Sequence, residues 1–274
     1  MIPAPFDYVR AETADEALGA LAEHGDDAKL LAGGMSLLPL MKLRFATPSV
    51  LVDIGRLREL SYVRDGGDHI AIGASTRHCD LENSPLLAEQ CDAIRAVAGE
   101  VGDNQVRHRG TIGGSVAHGD PASDLPAVLL ALDATFIARG SAGERAIAAA
   151  DFFDGFLETA LRPDELLAEI RVPKLAAARS SYQKFNRRAQ DWAIVGAVAV
   201  RPDNAGARVA LVNMATTPVR AGAVEAALAD GATIADAAQH AADGTDPPSD
   251  LNATPEFREH LARVLVRRAL EAAS

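Results

Sequence analysis

The chain has 274 residues, enough for one large domain or two modest ones with an ample core. Its 48% hydrophobic content and net charge of −11 describe a folded acidic protein without the basic stripe that nucleic acid binding needs. No apolar run approaches the ~20 residues of a membrane span, and Met1-Ile2-Pro3-Ala4-Pro5 does not read as a signal peptide. Cys79 and Cys91 form no Cys-x-x-Cys pair, so they read as small core residues of a cytoplasmic protein. Any zinc or iron–sulfur centre is then expected on another chain.

Phe6–Arg10 alternates as a strand. Thr13 and Glu16 form a capping box for a helix with Ala17, Leu18 and Leu21 on one face, stopped at Gly25. Lys29–Ala32 is a short buried strand. Gly33-Gly34 follows, and Ser36 is placed to cap a helix running past Leu40 to Lys42. Val50–Ile54 is a strand. Tyr62–Arg64 and His69–Ile72 flank Asp65-Gly66-Gly67-Asp68 as a hairpin. Thr76 is expected to cap the next helix, and Cys91, Ile94, Val97 and Ala98 predict one helix over about 86–100. A buried helix is predicted from near Asp124 to Leu132, then strands at Thr135–Ala138, Arg145–Ala148 and Glu165–Val172. Lys174–Ser180 reads as a linker. Beyond it come three strands, Tyr182–Phe185, Ala193–Val200 and Val209–Met214, with a hairpin turn at Arg201–Gly206. Helices follow at about 221–229, 233–242 and 255–272. The C-terminal third is therefore an α+β unit with a three-stranded antiparallel sheet.

Two stretches carry the chemistry. Ala32-Gly33-Gly34-Met35-Ser36, and Thr111-Ile112-Gly113-Gly114-Ser115 after Gly110, each set a glycine pair beside a hydroxyl residue. Glycine lets backbone N–H groups close on an anion, and a following helix adds its positive end. Two such loops predict two backbone cradles for one diphosphate. The spacing is not the dinucleotide fingerprint Gly-x-Gly-x-x-Gly, although Asp53 ends a strand nineteen positions after Gly34. Asp124 reads either as a helix cap or as an acceptor for ribose hydroxyls or an adenine amine. Gln105–Arg109 is a basic cluster that either offsets diphosphate charge or ends a solvated strand. Trp192, the only tryptophan, reads as a core residue or as an indole over a flat ligand, with Lys184 placed to hydrogen-bond it.

Taken together, these residues resemble the FAD-binding medium subunits of molybdenum hydroxylases, the xanthine dehydrogenase and carbon monoxide dehydrogenase group, and most of all the carbon monoxide dehydrogenase type. The likeness runs through Phe6-x-Tyr8-x-Arg10, Leu31–Pro39, Met41-Lys42-x-Arg44-x-Ala46-x-Pro48, Arg107-x-x-Gly110–Ser115, Gly119-Asp120-Pro121-x-x-Asp124-x-Pro126-Ala127 and Tyr182-x-Lys184. The resemblance implies an FAD domain of the vanillyl-alcohol oxidase (PCMH) type over 1–175, with lobes at about 1–55 and 56–175, then a C-terminal domain over 176–274. It implies an FAD diphosphate held by residues 32–36 and 111–115, with Leu31, Leu37 and Gly110 at their edges. Asp124 would lie near the adenosine, Lys184 near the flavin, and Trp192 where relatives carry a tyrosine beside the isoalloxazine. Met35 stands in place of a common histidine and Ser115 in place of a common asparagine.

The implied role is electron transfer in an oxidoreductase. A small subunit with two [2Fe–2S] clusters would feed FAD, and a large subunit would carry the molybdenum cofactor, in a dimer of heterotrimers. No catalytic residue and no metal ligand is expected on this chain. The alternative is a self-contained flavin oxidase or reductase, which needs a substrate-binding cap; a further one is a scaffold whose glycine loops only turn the chain. Gly33→Val and Gly113→Val are expected to abolish FAD retention while the chain stays folded.

Overall fold

The computed structural model describes residues 2–203 and 205–274, which form three larger sheets and a two-stranded one, Phe153–Gly155 with Glu158–Thr159. In the first lobe, Asp7–Arg10 and Ala28–Leu31 lie parallel to a central strand, Val50–Asp53. Parallel strands need crossovers: the helix Ala14–His24 lies in the one from Asp7–Arg10 to Ala28–Leu31, on the far side of the central strand, and the helix Leu37–Lys42 lies in the one back to Val50–Asp53. The Thr13 hydroxyl accepts from the Glu16 N–H, and Glu16 reaches back to the Glu12 N–H, so the capping box forms one residue wider than expected. The helix buries Ala14, Ala17, Leu18 and Leu21 against Val50 and Val52.

The central lobe carries a five-stranded antiparallel sheet ordered Val63–Asp65, His69–Gly73, Leu166–Pro173, Thr135–Gly140, Gly143–Ala148. Leu166–Pro173 is its middle strand, buried along most of its length, with a bulge between Leu167 and Glu169. The predicted helix over 86–100 is two helices, Pro85–Gln90 and Asp92–Gly99. Cys91 breaks them with φ −162° and ψ 65°, and burial pushes its thiol up to about 12. Thr76 caps nothing: its hydroxyl is shared with the N–H and C=O of Tyr62. Asp124–Ala131 is buried throughout, as its apolar run predicts.

The C-terminal sheet has four strands, not three. Arg179–Phe185, Val195–Arg201 and Arg208–Val212 are joined by a two-residue strand, Val219–Arg220, too short to leave a periodic signal. The predicted turn at 201–206 contains Asn204, which lies outside the described residues. The near-continuous apolar run of Val195–Arg201 reflects burial on both faces. Val195, Ala197 and Ala199 pack on the unit's own helices, chiefly Pro255–Ala272. Val198 and Val200 join the core of the central lobe, where helices Asp92–Gly99 and Asp124–Ala131 meet the sheet. The remaining helices are Gly222–Ala229 and Ile234–Ala237, the second continuing as a 3-10 turn over Ala238–Ala242.

Candidate functional site

The first glycine loop joins the strand Ala28–Leu31 to the helix Leu37–Lys42. Gly34 has φ +75°, a conformation that glycine adopts without strain. Gly33 is required for another reason. A Cβ there would sit 2.2 Å from the carbonyl oxygen of Arg109 and 2.8 Å from Cα of Gly110, so the two glycine loops touch backbone to backbone. The N–H groups of Gly33, Gly34, Met35 and Ser36 donate to no acceptor among the described residues. Ser36 occupies the N-cap position, but its hydroxyl makes no cap bond, contrary to expectation, because its own backbone is already helical. Leu31, Ala32 and Leu37 flank this run half-buried.

The second loop differs. Thr111 is the N-cap of the helix Ile112–His118, so the glycine pair forms that helix's first turn. Here the donors are already engaged. Ile112 N–H donates to Thr76 C=O (3.0 Å), Gly113 to Ala74 C=O (2.8 Å), Gly114 to Thr111 Oγ1 (3.1 Å) and Ser115 to Thr111 C=O (3.0 Å). The two loops are therefore not equivalent: among the described residues only the first keeps its backbone N–H groups unengaged. The second loop contributes hydroxyls and a surface without side chains: Gly114 is exposed and faces Ala32, whose Cβ lies 3.9 Å from where a Gly114 Cβ would be. A Cβ on Gly113 would meet the Ala74 carbonyl oxygen at 2.6 Å. Both Gly33 and Gly113 are thus packing glycines, and valine at either would strain the fold as well as the loop surface.

Asp124 and Lys184, expected near the adenosine and the flavin, pair with each other in the structure. Lys184 Nζ lies 2.9 Å from Asp124 Oδ2 and 3.0 Å from the Glu100 carbonyl, while the Tyr182 hydroxyl donates to Asp124 Oδ1. The side chains are only 5% and 7% exposed, so neither stands free. Burial pushes the Asp124 carboxyl above its usual range, against the opposing pull of Lys184 and Tyr182. Burial, then Asp124, raises the Tyr182 phenol well above 10. This pair fastens the first strand of the C-terminal sheet to the first turn of the buried helix.

Trp192 is 52% exposed, not in the core. It lines a cavity of about 480 Å³ between the central lobe (Asp120, Phe156) and the C-terminal unit (Asn213, Arg258). Asn213 holds this junction: with φ +61°, it donates its N–H to Pro121 C=O (2.9 Å) and its amide to Ala193 C=O (2.9 Å). Arg258 is fully buried, and Asp250 Oδ2 lies 2.8 Å from its Nη2. Sequence reading misses both, because each acts through partners distant along the chain.

The basic cluster 105–109 ends a short helix, Asn104–Arg107, not a strand. Arg107 is tied to Glu82 (2.9 Å), Asn104 and Val101, leaving Arg109 exposed. Beneath the cluster, buried His78 packs on Gly110. Desolvation, then the charge of Arg107, lowers its pKa from 6.5 to about 4. The unfolded chain therefore takes up a proton between pH 6.5 and about 4 that the fold refuses. Stability is full above 6.5 and falls by about 3 kcal/mol as pH drops to 4. Urea unfolding across that window should show a smaller acid loss for His78→Leu than for the parent, and equal losses would remove His78 from the account.

The model of the FAD binding domain in molybdopterin dehydrogenase matches residues 4–175, and that of the CO dehydrogenase flavoprotein C-terminal domain matches 180–273. The carbon monoxide dehydrogenase medium chain of Hydrogenophaga pseudoflava is 40% identical over 282 residues, covering 100% of this chain and 98% of its own. The 6-hydroxypseudooxynicotine dehydrogenase complex subunit alpha of Paenarthrobacter nicotinovorans is 39% identical over 280 residues, covering 98% and 95%. The structure of the Hydrogenophaga pseudoflava carbon monoxide dehydrogenase that lacks the Mo-pyranopterin moiety superposes with a TM-score of 0.96 at 42% identity, covering 100% of this chain and 98% of that one. With both domain models matched in order and full-length relatives of the same architecture, the chain belongs to the FAD-binding medium subunits of the molybdenum hydroxylases, a family of oxidoreductase subunits.

Proposed function

We propose that this chain is the FAD-binding electron-transfer subunit of a heteromeric, carbon monoxide dehydrogenase-like molybdenum hydroxylase. Its partners are a small subunit with two [2Fe–2S] clusters and a large subunit with the molybdenum cofactor, assembled in the cytoplasm as a dimer of heterotrimers. The observation that carries the cofactor assignment is the run of four unengaged N–H groups, Gly33 to Ser36, beside a loop surface free of side chains. That donor set suits a diphosphate in an acidic chain that has no general field to hold one.

Residues 1–175 form the FAD domain and 176–274 the domain that closes against it. Gly33, Gly34, Met35 and Ser36 hold the diphosphate by backbone N–H groups. Ser36, Thr111 and Ser115 offer hydroxyls, while Ala32 and Gly114 let it approach. Leu31, Leu37, Gly110, Ile112 and Gly113 support the loops. Trp192 covers one face of the ring system. The Asp124–Lys184 pair keeps the C-terminal sheet seated beside the site without touching the diphosphate. Bound FAD accepts and gives electrons singly or in pairs, and this chain's task is to position and shield it. Substrate oxidation belongs to the large subunit, so substrate identity is set there.

Reconstitution with FAD and an absorbance spectrum test the first half, and a chain without flavin bands fails it. Co-purification tests the second, and a single chain that turns over substrate alone points to a self-contained oxidase instead. Trp192→Ala should raise the fluorescence of bound flavin several-fold, because a stacked indole quenches it. An unchanged quantum yield places the indole elsewhere.

A further inference from the structure

Among the described lysines and arginines that are not exposed, Arg77 alone has neither an ion pair nor a side-chain hydrogen bond. The others find carboxylates or carbonyls, as Arg107 does with Glu82 and Lys184 with Asp124. A half-buried guanidinium without a protein acceptor keeps its forked donors open to water or to a ligand.

Its position gives the reason. Arg77 forms an isolated antiparallel bridge with Thr111. The flanking bonds run from His78 N–H to Gly110 C=O and from Ile112 N–H to Thr76 C=O, both 3.0 Å. Arg77 and Thr111 are therefore a non-hydrogen-bonded pair, the closer type, with side chains on the same face. The Thr111 hydroxyl on that face accepts from Gly114 N–H, and Gly114 is the exposed glycine facing Ala32. Arg77 thus rises where the two glycine loops meet.

We propose that Arg77 is a further cofactor-binding residue, supplying the positive charge that faces the FAD diphosphate; this rests on the FAD reading above. The first loop offers N–H donors but no formal charge, and the chain carries a net charge of −11. A guanidinium adds the missing charge and a forked donor pair matched to phosphate oxygens. Of the neighbouring arginines, Arg107 is committed to Glu82, and Arg109 stands exposed.

The test uses the full chain stripped of FAD and titrated with FAD at low and high ionic strength, followed by flavin fluorescence. Arg77→Gln should weaken binding by about tenfold or more and flatten the salt dependence, since a charge–charge contact is the part that salt screens. Arg77→Lys should keep the salt dependence and most of the affinity. The unfolding midpoint without FAD should be the same in all three proteins, because the Arg77 side chain has no hydrogen-bond or ion-pair partner among the described residues. The proposal is overturned if Arg77→Gln binds FAD as the parent does, or if both variants lose affinity equally and melt early, the signature of a packing role. If the parent chain itself binds no FAD, the flavin reading fails, a result distinct from either of these.

Discussion

Lys184→Met is expected to destabilise the protein by about 3–5 kcal/mol, the usual cost of leaving one member of a buried ion pair alone. The Asp124 carboxylate would keep only the Tyr182 hydroxyl while remaining 7% exposed. The pH dependence carries a sign that tests the cause. Burial holds the Asp124 pKa above its ordinary value, so its contribution to stability is present at low pH and lost as pH rises through the folded pKa. The Lys184→Met deficit should therefore shrink as the pH is lowered and the carboxyl takes a proton. Combining Lys184→Met with Asp124→Asn removes the charge itself and should recover at least half the loss. Chemical unfolding of the single and double variants across pH measures this, and a deficit that is flat with pH would falsify the buried-carboxylate explanation.

The second large effect is expected at Gly33. Gly33→Ala sets a methyl 2.2 Å from the Arg109 carbonyl oxygen and 2.8 Å from Gly110 Cα, and neither is the end of a flexible side chain. The loops must part, so FAD affinity should fall by about a hundredfold, with about 1–3 kcal/mol lost from the unliganded fold as in other overpacked sites. Ser36→Ala separates the two consequences. Its hydroxyl caps nothing within the protein, so the fold should keep its unfolding midpoint while FAD binding weakens by about tenfold or less. Calorimetry on the unliganded chain and equilibrium titration with FAD read both quantities. Gly33→Ala with parental FAD affinity would separate the loops' contact from the cofactor site.

Local signals proved reliable where local chemistry decides. Thr13 caps its helix, Gly25 ends it at φ +53°, and Gly66-Gly67 turns the hairpin between Val63–Asp65 and His69–Gly73. The apolar run in 195–201 marked the strand, but not that its two faces serve different cores. The failures have one physical origin, a partner far along the chain. Thr76 looks like a helix cap until Tyr62 arrives from fourteen residues upstream. The second glycine loop looks like an anion cradle until Ala74 and Thr76 take its donors. The pairing of Asp124 with Lys184 is likewise invisible in the sequence, because 60 residues separate them. The break at Cys91 interrupts an unbroken helical periodicity, and only tertiary packing reveals it. Resemblance to a family brought the residues of both loops together, but it could not tell which loop keeps its donors free.

The unengaged N–H groups of Gly33 to Ser36 also bear on how the subunit matures. Of these four, Gly33 and Gly34 are buried while Met35 is exposed, and a buried backbone donor without an acceptor costs about 1–3 kcal/mol. The chain therefore folds to a form that carries a local deficit, and an anion seated there removes it. Thermodynamic linkage makes FAD a folding ligand as well as a redox group, raising the unfolding midpoint in proportion to the logarithm of its free concentration. A chain that has not found its cofactor is then the more readily unfolded species.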